Sequence, residues 1–391
     1  MAADDKTTPG LGVHGASRLP AVEIDSYNLE IKDEDGFIGD RASKGALTEI
    51  LDKLRKPLRK LDADPFGDVP SAEISKKRLD AALEAEDPDA AGLVQGAIEE
   101  FAQGFALVIR RFLKAKGWRE TERISVGGGM RDRHIGELAI GRAGVLLKAG
   151  GIDVDLRPIH NHPDDAGLIG ALQLAPRWIF EAHDSILAVD IGGTNIRAGV
   201  VQLNLKKAPD LSKAAVWKRE LWRHADDKPK RDEAIAKMVA MLKQLITSAE
   251  KEGLRLAPFI GIGCPGMIEP DGSIDRGAQN LPGNWESTRF NLPASLVEAI
   301  PTIGDHETVV LMHNDAVVQG LSEVPFNGDV ERWGVLTIGT GLGNARFTNR
   351  AAPAKADQKT PAKSEKKKNG AGKTESKKAE SKKAESKAAA K

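Results

Sequence analysis

Apolar positions fall into two rhythms along this chain. Leu47, Ile50, Leu51, Leu54 and Leu58 recur at helical spacing between Ser43 and Leu61, and Ser43 is a residue type that caps helices. Pro57 lies inside that run and is expected to kink or split it. The strongest helical signal spans 88–117. Asp87 precedes Pro88 at a first-turn position, and Leu93, Ile98, Phe101, Phe105, Val108, Ile109 and Phe112 make one apolar face. Further helices are predicted over 133–149, 164–175 and 230–252, and onward from Ala316. The second rhythm is the short unbroken apolar run. Residues 123–126, 186–189, 196–203, 259–262, 309–312 and 334–338 read as strands, and 22–31 alternates weakly. Strands alternating with helices predict an α/β architecture.

A chain of 391 residues suits two domains with additions. Formal net charge is zero, but the average hides an asymmetry. Residues 351–391 hold 13 Lys against 4 Glu and 1 Asp, a net +8, so the rest is mildly acidic. That segment lacks branched apolar and aromatic residues and is expected to be disordered. A polyanion or nucleic acid is the partner its charge would suit; a spacer is the plainer alternative. Residues 1–20, rich in Gly, Pro, Thr and Ser, read as a flexible arm. Cys264 is the single cysteine, so neither an internal disulfide nor a Cys-based zinc cluster can form. The N-terminus lacks a signal-peptide pattern, and no window reaches the roughly 18 apolar residues of a membrane span. These features predict a cytoplasmic protein without membrane contact.

Chemistry concentrates where strands end in glycine. Asp190-Ile-Gly192-Gly193-Thr194-Asn195 sits between two strands. Backbone N–H groups of such a turn can approach a phosphate, Thr194 and Asn195 can donate to its oxygens, and Asp190 can hold Mg²⁺ directly or through water. Gly339-Thr340-Gly341-Leu342-Gly343 repeats the design at the end of another strand. Gly127-Gly128-Gly129 lies between a strand and a helix, where flat backbone can rest against a base or ribose. Asn314-Asp315 opens a helix at a strand end, where Asp315 could take a hydroxyl proton during attack on a γ-phosphate, although an N-cap aspartate would look the same. Asn280, Asn284 and Trp285 are placed to bind or stack on a polyol, or belong to a plain surface loop. His160, His162 and Asp164 read as a helix start rather than a metal site.

Together these motifs resemble the ROK family (repressors, open reading frames and sugar kinases) of the actin-like ATPase superfamily. Residues 190–199 are similar to its first phosphate motif, 261–274 to its sugar-side loop, 313–315 to the segment with the catalytic aspartate, and 338–343 to its second phosphate motif. Residues 124–129 resemble its adenosine motif, 164–171 its closing helix and 36–47 the segment before its second-lobe helices. These last three precede the first phosphate motif instead of following the second, which implies a circular permutation. Neither the Glu-x-Gly-His sugar-contact motif nor the Cys-rich zinc motif is found.

The resemblance implies two ribonuclease-H-like lobes around a nucleotide cleft. Residues 21–178 and 331–350 would build one lobe and 185–330 the other. It implies ATP-dependent transfer to a sugar hydroxyl, with Asp315 as base, Asp190 placing Mg²⁺, and no zinc. Gly192, Gly193, Thr194, Asn195, Gly339, Thr340, Gly341 and Gly343 would hold phosphates, Gly127, Gly128 and Gly129 the adenosine, and Asn280, Asn314 and Asp315 the acceptor. A non-catalytic sugar or nucleotide sensor is the alternative, and a homodimer is left open.

Overall fold

The computed structural model describes residues 12–131 and 133–350. The expectations for residues 1–11 and for the Lys-rich segment 351–391 lie outside the described residues.

Ten principal strands form two five-stranded sheets. They are β1 (Val22–Tyr27), β2 (Arg123–Gly127), β3 (Asp155–Pro158), β4 (Ser185–Ile191), β5 (Ile196–Gln202), β6 (Ala215–Trp222), β7 (Leu256–Cys264), β8 (Val309–Asn314), β9 (Arg332–Ile338) and β10 (Leu342–Asn349). One sheet runs β6-β5-β4-β7-β8. Its first three strands are antiparallel, and β7 and β8 join β4 in parallel. The other runs β1-β10-β9-β2-β3 on the same plan: antiparallel from β1 to β9, then parallel through β2 and β3. The first sheet is contiguous in sequence. The second joins strands from both ends of the described chain.

The helices follow their sequence signals closely. Helix α1 (Lys44–Arg59) starts at Ser43, whose Oγ accepts from the Ala46 amide at 3.1 Å. Pro57 falls in its last turn, and the helix ends at Arg59 without being split. Helix α2 (Lys76–Glu84), short and mostly charged, escaped prediction. Helix α3 (Pro88–Lys114) is capped by Asp87 and buries its predicted face, Phe101, Phe105 and Phe112 almost completely. Then come α4 (His134–Ala149), α5 (Pro163–Gly170), α6 (Arg231–Lys251), α7 (Leu292–Ala299) and α8 (Asp315–Leu321).

Three apolar cores result. One joins α1–α4 to a face of the β1-containing sheet. A second joins α6 and α7 to a face of the other sheet. The middle core takes residues from both sheets, such as Phe259 and Phe347, together with α5 and α8. Helix α8 is pressed so tightly against α5 that a Cβ on Gly170 would lie 1.7 Å from the Val318 carbonyl oxygen.

Residues 12–20 correct the expectation of a loose arm. The Gly15 amide donates to Met312 O at 3.0 Å, His14 Nδ1 accepts from the Met312 amide at 3.1 Å, and Leu19 is buried. Edge strand β8 would otherwise leave these backbone groups without strand partners, and the segment satisfies them. The described ends also meet. The Arg350 amide donates to Ala21 O at 3.0 Å, and the Arg350 guanidinium to Leu19 O at 2.6 Å.

Candidate active site

Parallel strands align their carboxyl ends, and both sheets turn those ends toward one cleft. Asp190 on β4 and His313 on β8 both pair with Gly263 on β7. Two strand spacings, about 10 Å, therefore separate the Asp190 and His313 backbones. Gly263 lets α8 come close, because a Cβ there would sit 3.3 Å from Val318 Cβ and 3.5 Å from Asp315 Cα. In the other sheet Thr337 pairs with Gly127, so the turns after β9 and β2 lie side by side.

The cleft holds about 480 Å³. Asp190, Gly192, Gly193, Gly128, Gly129, Gly339, Thr340, Gly341, Gly343, Asn280, Asn314 and Asp315 all line it. Two distant glycine turns, the triple glycine and both predicted carboxylates thus face one space. Thr194, Asn195 and Gly127 do not line it. The Asn195 carbonyl closes the turn on the Gly192 amide at 2.8 Å, and the Thr194 carbonyl accepts from Ala225 at 3.2 Å. Gly127 is packed under the Gln319 side chain.

Glycine does different work in each turn. Only Gly128 adopts a left-handed conformation, at φ +83°, and a Cβ there would strike Ile338 O at 2.3 Å. Gly193 is needed for closeness, since its Cβ would come within 3.2 Å of Asn280. Gly343 would drive a Cβ to 2.3 Å from Thr337 Oγ1, whereas Gly341 faces open space. The turn after β9 is pinned to helix α1 by the Lys44 amide, which donates to Gly339 O at 2.9 Å.

Asp315 is released from capping duty. Asn314 Oδ1 accepts from the Ala316 and Val317 amides at 3.0 and 3.3 Å and caps α8 itself, while its Nδ2 donates to Gly266 O at 3.0 Å. Asn314 thus holds α8 and the Gly266 loop in place while lining the cleft. Burial, followed by the nearby negative charge of Asp190, pushes the Asp315 carboxyl up to about 7, although the Ala316 amide and its own amide favour the ionised form. Asp190 is likewise raised, first by burial, against the lowering influence of Arg197. Gly167 makes room for it, because a Cβ at 167 would lie 2.6 Å from Asp190 Cγ. Cys264 is buried below both carboxylates. Burial and their charges push its thiol well above the usual range, so it stays protonated. His313 is neutral: burial lowers it to about 4, its Nε2 donates to Ala16 O at 3.2 Å, and its Nδ1 accepts from Asn314 N at 2.7 Å.

Trp285 is a core residue and not a stacking platform. It is 1% exposed, its Nε1 donates to Pro282 O at 2.8 Å, and it meets Phe290 edge-on. Asn284 accepts from the Glu286 amide within the same loop, at 3.0 Å. His160 stacks on Phe326, with ring centroids 3.8 Å apart, and His162 caps α5 through Nδ1 and the Asp164 amide.

Several cleft residues had no separable sequence signal. Arg197 reaches Asp164 at 2.7 Å and Asp190 at 3.3 Å. Asn28, Glu30 and Asp40 arrive from the segment after β1, which Asn344 holds by accepting from the Leu29 amide and donating to the Leu29 carbonyl at 2.9 and 3.1 Å. Gln319 lies one helical turn beyond Asp315. Spacing could have found only Gln319, because i and i+4 share a helix face.

Residues 186–353 match the model of the ROK family. Through this segment the chain is similar to the ROK family. No curated protein matches the chain. Among solved structures, the Lmo2764 protein of Listeria monocytogenes, a candidate N-acetylmannosamine kinase, is 27% identical over 42% of this chain and 47% of its own, with a TM-score of 0.30. The chain thus spans about half the length of that protein. The ROK segment contains Asp190, the glycine turn that follows it, Asp315 and the turn after β9. The triple glycine at 127–129 lies outside it.

Proposed function

We propose that the protein is an ATP-dependent kinase that phosphorylates a hydroxyl of a sugar or sugar-like molecule. The observation that carries this reading is the convergence of both glycine turns, Asp190 and Asp315 on a single cleft. The backbone amides of the Gly192–Gly193 and Gly339–Gly341 turns would hold the phosphates. Asp315 would accept the acceptor's hydroxyl proton as that oxygen attacks the γ-phosphorus. The bond from the γ-phosphorus to the bridging oxygen breaks, and ADP leaves with that electron pair. A carboxylate pushed up to about 7 suits this task, since a substantial fraction is ionised at neutral pH and it is basic enough to take the proton. Asn280 and the neighbouring Gln279 offer amides to a polyol.

Mg²⁺ fits the residues present. The charge of Asp190 raises the proton affinity of Asp315, and both raise that of Cys264; a cation held by Asp190 would relieve that repulsion. Among the described residues no three His, Cys, Asp or Glu side chains gather as a metal-binding group, so such an ion would rely on phosphate and water for most of its ligands. Bound there, it would neutralise charge developing on the transferred phosphoryl group.

We further infer a circularly permuted pair of ribonuclease-H-like lobes, one on each sheet. Two facts support it. The sheets share one strand plan, and the strand order β1-β10-β9-β2-β3 places the chain's last two strands between β1 and β2. The Arg350 amide lies beside the Ala21 carbonyl, so a continuous parent chain running between these positions would need only a short connection.

A coupled ADP-release assay with Mg-ATP across a panel of hexoses and amino sugars tests the activity. Sugar-dependent turnover that is lost in Asp315→Asn is expected. Turnover unchanged in that variant rejects the assigned base. Nucleotide binding without turnover on any sugar favours a sensor.

A further inference from the structure

Gln319 sits on α8 four residues after Asp315, on the same helix face, and lines the same cleft. Four residues of helix advance about 6 Å, so its amide lies about one helical turn away from the Asp315 carboxyl, which faces the reacting phosphate in the kinase reading. Its neighbours agree with that placement. A Cβ on Gly127 would lie 2.7 Å from Gln319 Oε1, so the glycine that starts the triple-glycine turn leaves the space this side chain fills. Gly128 and Gly129, next along that turn, line the cleft.

The Oε1 atom is buried and, among the described residues, has no hydrogen-bond partner. A buried carbonyl oxygen left unpaired is costly, and a donor arriving with a ligand removes that cost. Phosphate oxygens at neutral pH are acceptors and cannot supply the missing hydrogen, whereas a hydroxyl can. Ribose is the part of a nucleotide that offers hydroxyls, and the flat backbone of the triple-glycine turn beside Gln319 leaves room for a base or ribose.

We propose that Gln319 is a specificity residue whose side-chain oxygen accepts a hydrogen bond from a ribose hydroxyl of the bound nucleotide. The proposal rests on the kinase reading above. It makes the site selective for ribonucleotides over their deoxy forms.

Calorimetry on the full chain with Mg²⁺ and a non-hydrolysable ATP analogue, against the same analogue lacking its 2′- or 3′-hydroxyl, provides the test. The wild type is expected to bind one of the two deoxy forms about tenfold more weakly, the size of one lost hydrogen bond. Gln319→Leu should erase that preference by weakening the parent analogue alone, and Gln319→Glu, which keeps an acceptor, should retain it. Equal wild-type affinity for all three ligands overturns the proposal without needing any variant. So does a preference that survives in Gln319→Leu. If no adenine nucleotide binds at all, the kinase reading falls and this assignment falls with it, an outcome distinct from equal binding.

Discussion

The two five-stranded sheets share a strand plan but differ in how the chain supplies them. Strands β4 to β8 come from one continuous stretch, 185–314, and carry Asp190 and lead into Asp315. The other sheet takes β1, β2 and β3 from the first half of the chain and β9 and β10 from its end. Its contribution to the cleft is backbone: the Gly128–Gly129 and Gly339–Gly343 turns. The first sheet thus places Asp190 and Asp315 at its strand ends, whereas the second places glycine turns at its own and brings Glu30 and Asp40 only through the segment after β1. A strand plan is indifferent to chain order because hydrogen-bond ladders and face packing depend on neighbours in space. Only the loops change.

The sharpest way to test this division is to alter one side at a time. Asp315→Asn should lower kcat by about 10² to 10⁴-fold with the fold retained, measured by coupled assay and thermal melting. Gly170→Ala, under the same sheet, should do the reverse and fail on stability. Its Cβ would meet Val318 O at 1.7 Å, and a loss of about 3 kcal/mol or more in denaturant unfolding is expected.

On the glycine side, two alanines separate shape from function. Gly128→Ala forces a left-handed alanine against Ile338 and should cost about 1–3 kcal/mol of stability. Gly341→Ala meets nothing within 4 Å, so stability should stay within about 0.5 kcal/mol while the affinity for nucleotide falls. Equal destabilisation by both would erase the contrast.

pH dependence sharpens the assignment further. Asp315 must be ionised to accept a proton, so kcat/KM should rise with pH through about 7 and fall below it. Stability runs the other way. A carboxyl whose folded pKa exceeds its unfolded value favours the fold at low pH, and that contribution fades as pH rises through about 7. Asp315→Asn should therefore raise the melting temperature more at pH 8 than at pH 5. Glu323, also pushed up to about 7 by burial against the His160 and Asn161 amides and Ser125, is the control. Glu323→Gln should alter the stability profile and leave the kinetic midpoint in place. The smallest effect is expected from rejoining the chain: joining residue 350 to residue 12 by a flexible linker, which keeps the packed segment 12–20, and opening it within 181–184 should move the melting temperature by only a few degrees.

Local sequence was enough for most elements. Helix α3 was legible because its apolar residues keep a 3.6-residue period for seven turns, and β4 and β7 because they are buried on both faces and read as continuous apolar runs. Helix α2 was not, since a short charged helix owes its existence to Leu79 and Ala82 packing on α3 and α4.

The sequence by itself determined which residue types close each turn and where carboxylates stand at strand ends. Those are properties of a few adjacent residues. Tertiary structure alone decided which of them share a space. It freed Asp315 by giving the cap to Asn314, withdrew Trp285 into the core, and set Arg197 between Asp164 and Asp190. The reason is that burial and partnership belong to pairs of groups brought together from distant positions, and no single segment carries that information.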